Sequence, residues 1–361
     1  MSKYKNLDLL NRHVSDGIVN VQRHDNFDYY IYNYSQTVQF QKLWDDVTVD
    51  CRGLILDGVG NIVARPFRKF FNLQEHDVNS IPFDLPFTVF EKMDGSLGIT
   101  YKGEDGEVYI ATRGSFQSEQ AIKATQMLKG DSDLYNFVLS NSDDRTLLFE
   151  IIYPENRIVV DYGYSQKLVL LGSYHIETGE FTSPHYYKSI FPSLNVPQVF
   201  DVSSIDELKN SGETNFEGYV VRFDNDFRVK VKLDEYVRLH RLMTNVSNVS
   251  VWESLKNGDD IETLLVNVPD EFYDWMSEII NGLRDEFNKI ESFAKSVYQN
   301  VGGLSRAEIA NQLLRGGSDE QKEVATVVFA MMDGKDYDDR IWKMIRPTYQ
   351  KPFYQKERDD A

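Results

Sequence analysis

Apolar and polar residues alternate along this chain in two different rhythms. From about residue 17 to 243, short runs of β-branched and aromatic residues such as Phe87-Thr88-Val89-Phe90 are cut by turn signals at Asp57-Gly58, Gly60-Asn61, Gly103-Glu104-Asp105-Gly106 and Asn225-Asp226. Half-buried strands joined by tight turns carry this pattern, so it predicts antiparallel sheet. Helical spacing interrupts it over 117–130, where Ala121, Ile122, Ala124, Met127 and Leu128 recur, and again over 134–139. From about 245 the period becomes 3.6 and predicts helices over 250–256, 261–265, 271–298, 305–314, 319–332 and 337–345. The longest should bury a stripe of Phe272, Trp275, Ile279, Ile280, Leu283, Phe287, Ile290 and Phe293, and Ser305-Arg306-Ala307-Glu308 reads as a capping box. The expected fold is α+β, with an antiparallel-sheet domain over 1–244 followed by an all-helical domain over 245–361.

Composition narrows the possibilities. A length of 361 residues, 41% hydrophobic and 13% aromatic, suffices for two proper cores. No run resembles a signal peptide or a membrane span, which predicts a soluble, cytoplasmic protein without membrane contact. The single cysteine, Cys51, rules out a disulfide within the chain and a cysteine-based zinc site, and the six histidines show no paired metal spacing. A net charge of −18 argues against a nonspecific nucleic-acid coat. It leaves room for an enzyme that needs only a local positive site and must release its product.

The richest local signal is Lys92-Met93-Asp94-Gly95-Ser96. Phe87–Phe90 reads as a strand and Asp94-Gly95 as a turn, so Lys92 should stand at a strand end, held but reachable. A lysine amine attacks only after losing its proton, and at an ordinary pKa near 10.4 roughly one in a thousand is neutral at physiological pH. Nearby cations would favour the neutral form, and Lys69, Arg113, Lys230 and Lys232 are available in other strand-like segments. Alternation of Lys230 and Lys232 with Val229 and Val231 puts both ammonium groups on one strand face and the valines on the other. Glu150 and Glu217 each follow an aromatic residue in an apolar strand, where a carboxylate is costly unless paired or coordinated.

The order of these segments carries a resemblance. Cys51-Arg52-Gly53-Leu54 precedes Arg68-Lys69-Phe70-Phe71-Asn72, the Lys92 motif, Thr112-Arg113-Gly114-Ser115, Leu148-Phe149-Glu150, Phe216-Glu217-Gly218-Tyr219-Val220-Val221 and Val229-Lys230-Val231-Lys232. The series resembles the nucleotidyl motifs of the covalent nucleotidyltransferases, which include ATP-dependent ligases and mRNA capping enzymes. The flanks Ile31-Tyr32-Asn33-Tyr34, Ser118-Glu119-Gln120-Ala121 and Asn156-Arg157-Ile158-Val159 are similar to those of the phage-type RNA ligases, the group of phage T4 RNA ligase 1. The likeness is clear over roughly 25–245 and loose beyond.

The resemblance implies an ATP-dependent RNA ligase that seals 5′-phosphate and 3′-hydroxyl ends through a lysine-AMP intermediate and an RNA-adenylate, with ATP and Mg2+ as cofactors. It implies residues 1–244 as the adenylyltransferase domain and the helical region as a tRNA-selecting one. Lys92 matches the nucleophile, within Asp94 and Gly95 of the motif. Arg52, Lys69 and Phe71 match the ATP site; Arg113 stands where the T4 pattern has lysine, and Met93 where it has an acidic residue. Glu150 and Glu217 match groups that hold the ribose or organise the metal and Lys92, and Gly218 and Val220 match the ATP/AMP site. Lys230 and Lys232 match cations at the α-phosphate, and Tyr32 and Tyr236 match tyrosines near the nucleotide. Phe149 is a candidate to stack on adenine or a core phenylalanine. Asp259 and Asp260 line up with an acidic pair linked to metal, or complement a helix dipole. Arg340, Lys343, Arg346, Lys351 and Lys356, interleaved with Trp342, Tyr349, Phe353 and Tyr354, form either an RNA contact or a solvated tail. Nicked tRNA, an end-healing kinase/phosphatase partner, a monomeric state and a host-cell cytoplasmic setting are the corresponding expectations. DNA ligases and capping guanylyltransferases share the chemistry, but usually carry an OB-fold where this chain has helices. A noncatalytic RNA-end sensor would not need all these residues.

Overall fold

The computed structural model describes residues 2–210, 215–234, 236–237, 247–259 and 270–349. The chain divides into two compact units, Met1–Met243 and Thr244–Ala361. In the first, β1 (Val19–Arg23), β2 (Tyr29–Tyr34), β3 (Arg52–Asp57) and β4 (Ile62–Ala64) form one antiparallel sheet in sequence order. A second sheet is built from β5 (Phe71–Asn72), β6 (Phe87–Glu91), β12 (Val199–Phe200), β13 (Gly218–Phe223) and β14 (Arg228–Lys232), in the order β12-β6-β13-β14-β5. The third orders β7 (Ser96–Lys102), β8 (Val108–Ala111), β9 (Arg145–Ile152), β10 (Lys167–His175) and β11 (Phe181–Thr182) as β11-β10-β9-β7-β8. The antiparallel expectation holds for every strand pairing but one. Phe71 and Asn72 run parallel to Val229 and Lys230, which ties the Lys69 segment to the Lys230 strand.

Alternation along β9 shows how the sheets share their cores. Helices α1 (Leu7–Ser15) and α2 (Gln36–Gln41) come before α3 (Glu119–Gly130) and α4 (Ser132–Asn141) along the chain. Leu147, Phe149 and Ile151 point into a core with Ala124 and Leu128 of α3 and Val138 of α4. Leu148 points the other way, into a core shared with Ile31, Ile55 and Ile99 from the first and third sheets. The spacing in α3 is helical as expected, but Ile122 lies on the outer face, 49% exposed, while Ala121, Ala124 and Leu128 are fully buried.

In the second unit the described helices are Asn248–Asn257, Asp270–Asn300, Arg306–Ala310, Asp319–Met332 and Asp338–Met344, with a π-helical stretch over Asn311–Arg315. The segment expected as a helix over 261–265 lies outside the described residues. The Ser305–Glu308 capping box forms. In the long helix Met276, Ile280 and Leu283 are buried, but the stripe continues through Ala294 and Val297, and Phe293 stands at the surface. A 3.6-residue period rotates a fixed spacing off the buried face over the 31 residues of this helix, so the small residues take over near the C-terminal end.

Candidate active site

Lys92 emerges where β6 ends, and its backbone N–H donates to Gly218 O at 2.8 Å. The turn then folds against β9, and a Cβ on Gly95 would sit 2.6 Å from Ile151 O, so only glycine fits there. The Lys92 ammonium forms an ion pair with Glu217 Oε2 at 2.7 Å, and the Lys232 ammonium forms one with Glu217 Oε1, also at 2.7 Å. Gly218 makes this bridge possible. Its φ of +145° and its approach to β14, where a Cβ would meet Val231 O at 2.2 Å, exclude any side chain. Glu217 is 3% exposed and Lys92 19%. Burial alone would raise the Glu217 carboxyl; Lys232 and Lys92 overcome it and hold the carboxyl below its ordinary value.

Asp94 is buried too, with different partners. Its Oδ2 accepts from the Val159 and Val160 backbone N–H groups at 2.8 and 2.7 Å, and its Oδ1 accepts from the Tyr236 hydroxyl at 2.7 Å. Its own N–H donates to the Tyr162 hydroxyl at 3.0 Å. Ser96 donates to Asn156, whose amide donates to Ile151 O, so the Asn156–Val160 segment is fastened to both ends of the Lys92 turn.

A pocket of about 170 Å3 opens beside Lys92. Arg52, Gly95, Glu150, Val220 and Lys230 line it with Phe70, Phe90 and Leu171. Lys230 is 6% exposed and its ammonium lies 5.4 Å from the Phe70 ring centre. Val229 and Val231 are in the core behind, as the alternation expects. Burial pushes the Glu150 carboxyl up to about 8; Lys92 and Arg52 act against that rise, Glu217 and Asp94 with it. A third cation, absent from the residues the sequence motifs single out, stands on the same face of β14. Arg228, also lining the pocket, is paired with Asp226 at 2.9 Å and the Tyr174 hydroxyl, and packs 4.4 Å from the Phe181 ring centre. The signal was present, since the alternation Arg228, Lys230, Lys232 extends one step upstream.

Other expected residues gather nearby or fall elsewhere. Lys69, Phe71 and Arg113 come together around Tyr34 and Trp44, with the Lys69 ammonium 5.7, 5.4 and 5.5 Å from the Tyr34, Trp44 and Phe71 ring centres. Arg113 lies 5.6 Å from the other cation's ring, that of Tyr34. Tyr236 meets Asp94 and lies under the Lys232 ammonium, 5.0 Å away, so it supports the site from behind. Two placements correct the expectation. Phe149 is fully buried in the α3/α4 core on the face of β9 opposite Glu150, because adjacent strand residues point to opposite faces. Tyr32 packs in a core with Leu10, Val47 and Leu54, away from the pocket, and its strand neighbour Tyr34 is the tyrosine that reaches the cations. Asp259 is exposed and follows the left-handed Gly258 that ends the helix Asn248–Asn257; Asp260 lies outside the described residues. Among the described residues, no group of three or more His, Cys, Asp or Glu is placed to hold a metal ion. Also among them, no helix is long and apolar enough to cross a membrane. Of the C-terminal cluster, Lys343 pairs with Asp339 and Arg346 lies over Trp252, whereas Lys351, Phe353, Tyr354 and Lys356 lie outside the described residues.

This chain is similar to several known proteins. A protein of Thermovibrio ammonificans named an RNA ligase is 28% identical over 213 residues, covering 55% of this chain and 55% of that relative, little more than half its length. An RNA ligase of Rhodothermus phage RM378 is 22% identical over 346 residues, 76% of this chain and 77% of its own. Among solved structures, a protein from Aquifex aeolicus named as an ATP-dependent DNA ligase is matched over 91% of this chain and 99% of its own with a TM-score of 0.50 at 14% identity, a likeness of fold. Residues 50–236, which hold Lys92, Glu150, Glu217, Lys230 and Lys232, match the RNA ligase family, and this chain belongs to that family.

Proposed function

We propose that this protein is an ATP-dependent RNA ligase that joins a 5′-phosphate to a 3′-hydroxyl with Lys92 as its nucleophile. The observation that carries the reading is the Lys92–Glu217–Lys232 bridge, whose Lys92 lines a pocket together with Arg52 and Lys230. An amine aimed into a pocket with cations around it suits attack on phosphorus, where catalysis is mostly positioning and neutralisation of oxygen charge. The Lys92 nitrogen forms a bond to the α-phosphorus of ATP, the bond to pyrophosphate breaks, and the amine proton is lost. AMP then passes to the RNA 5′-phosphate and frees Lys92. Attack by the 3′-hydroxyl on that phosphorus releases AMP and completes the phosphodiester.

Within this reading the apolar walls Phe90, Leu171 and Val220 receive the adenine, while Lys230 on the pocket wall and Lys232 two residues on along the same strand meet the α-phosphate. Magnesium fits the donor set if it is held mainly by phosphate oxygens with one or two carboxylates. Glu150, on the pocket wall, is the group that would complete such a shell, and the ion would supply further neutralisation of phosphate charge. Asp259 and Asp260 remain a proposal for a metal role. The helical unit is proposed to favour nicked tRNA, in tRNA repair after an end-healing kinase/phosphatase, for a monomeric enzyme in the cytoplasm.

The test is incubation with magnesium and radiolabelled ATP or GTP, followed by sealing of RNA and of nicked DNA. Label from ATP should join the protein as an acid-labile, base-stable phosphoramidate, and RNA ends should be sealed. Label from GTP alone, or sealing confined to DNA, would overturn the assignment. Comparison of a tRNA nicked in its anticodon loop with a generic strand, at matched salt, tests the finer substrate.

A further inference from the structure

A second cavity, of about 310 Å3, adjoins the nucleophile turn. Asp94 lines it, whereas Lys92, Met93 and Gly95 line the pocket described above, so the turn divides the two. Its volume is at the lower end of small-ligand sites, about 300–1,000 Å3, enough for one planar ring system. Three tyrosines line it: Tyr153 is buried, Tyr162 half-buried, and Tyr164 stands at the rim with its ring in solvent, 97% exposed. Burial holds the Tyr162 hydroxyl well above its ordinary pKa, so it keeps its proton. Having accepted the Asp94 N–H at 3.0 Å, it retains that hydrogen to donate. The loop that presents Tyr164 is braced. Asn215 accepts from the Asp161 N–H at 2.7 Å and donates to the Asp161 carbonyl at 2.9 Å, and the Asp161 carboxylate accepts from the Gly163 N–H at 2.8 Å. An exposed ring on a fixed loop loses little freedom when it stacks on a ligand.

Charge around the cavity is close to balanced. Arg157 is paired with Asp161 at 2.9 Å, and Lys123 and Lys167 lie 5.9 and 5.2 Å from the Tyr153 and Tyr162 ring centres, while Glu119 and Glu155 stand near Tyr153. Recognition here therefore falls to ring faces and the Tyr162 hydroxyl rather than to an excess of cations. Aromatic faces with cations between them suit unpaired nucleobases, each of which has a face to stack and a polar edge to bond. The cavity wall also touches the chemistry, because Val160 lines it and donates its N–H to Asp94 in the Lys92 turn. We propose that this cavity is an RNA subsite, in which an unpaired base of the strand beside the junction stacks on Tyr164 with its edge at the Tyr162 hydroxyl. The inference rests on the ligase reading above and adds to it a place for the RNA.

The experiment uses the full chain with Tyr164→Ala, which removes the ring, Tyr164→Trp, which keeps an aromatic face, and Tyr186→Ala, an exposed tyrosine outside the cavity, as the control. Sealing of pre-adenylated RNA is measured against the concentration of the 5′ strand and, separately, of the 3′-hydroxyl strand. Tyr164→Ala should raise KM for one of the two strands about tenfold with a smaller fall in kcat, and the affected strand identifies which side of the junction the cavity holds. Tyr164→Trp should stay within about threefold of the wild type, and Tyr186→Ala within about twofold. Abasic nucleotides are then moved along the affected strand. At one position the missing base should weaken the wild type about as much as Tyr164→Ala does and leave Tyr164→Ala itself unchanged, a coupling that a merely structural role of the tyrosine would not produce. An unchanged KM for both strands, a loss that no abasic position reproduces, or a fall in lysine-adenylate formation that matches the fall in sealing would overturn the subsite. A wild type that forms no lysine-adenylate and seals nothing would instead overturn the ligase reading. Binding of a fluorescent single-stranded RNA to wild type and Tyr164→Ala, with and without the abasic position, would still decide whether the cavity takes a base.

Discussion

Asp94 and Glu217 are buried to the same extent, 3% exposed, on either side of Lys92, yet they are stabilised in opposite ways. Asp94 is satisfied by dipoles, namely two backbone N–H groups and a tyrosine hydroxyl, none of which gains or loses charge. Glu217 is satisfied by two ammonium groups. Dipoles fixed in the backbone make a rigid joint, and the Asp94 site locks the 156–160 segment to the nucleophile turn. A carboxylate shared between two amines makes an electrostatic arrangement that changes as soon as one amine reacts. Substitution at Asp94 should therefore act first on stability, and substitution around Glu217 first on chemistry.

The largest effect sharpens the chemical side. Lys92→Ala should abolish the labelled adduct, while sealing of pre-adenylated RNA persists because that step does not use the nucleophile. Undiminished adduct in this variant would remove Lys92 from the mechanism. Next comes Lys232→Ala, which takes away one of the two cations on Glu217. Adenylylation should slow by about 10²-fold, as expected when developing phosphate charge loses a preorganised cation, with little change in Tm. A collapsed thermal transition accounting for the whole loss would erase the contrast with Asp94.

The structural side breaks in the opposite order. Asp94→Ala strands two buried N–H groups and the Tyr236 hydroxyl, and should cost on the order of 3 kcal/mol of stability before any effect on rate is considered. Tyr236→Phe removes a single donor and should cost about 1–2 kcal/mol. Chemical denaturation of both variants checks this. If Tyr236→Phe left stability intact and specifically slowed adenylylation, Tyr236 would belong with Glu217 rather than with Asp94.

How much of this site was legible depends on whether a residue's face is decided locally. Lys230 and Lys232 share a face by strict alternation in β14, and Asp94-Gly95 turns by local chemistry, so the sequence brought these together with Lys92 and Glu217 as the structure does. Phe149 and Glu150 are neighbours in the same strand, and the same alternation makes it impossible for both to face the pocket. Choosing between them required knowing that α3 and α4 cover one side of β9. Tyr32 and Tyr34 posed a harder problem. The pairing of β2 with β3 slips between Tyr32 and Asn33, so the two tyrosines have different surroundings despite their spacing. Trp44 had no signal at all, since its contact with Lys69 joins segments that are separate in sequence and follow no shared period.

The smallest predicted effect concerns Glu150, whose carboxyl is raised from an ordinary 4.5 to about 8, chiefly by burial. A raised value means that the folded protein keeps a proton that the unfolded chain gives up. The stability linked to that proton is fully present below pH 4.5 and is lost progressively as pH rises toward 8, above which the folded state must carry the charge in a poorly hydrated place. Glu150→Gln removes the titration and keeps the shape. Its Tm should match the wild type near pH 5 and exceed it near pH 9, by on the order of a few degrees. Adenylylation should show the opposite preference, being weak in Glu150→Gln and rising with pH in the wild type as the carboxylate forms, since only the ionised group can bind a cation or take up positive charge. A Tm difference that is the same at pH 5 and pH 9 would show that Glu150 does not titrate in this window. Its place beside Lys92 would then reflect pocket shape, and Glu217 alone would account for the charge at the nucleophile.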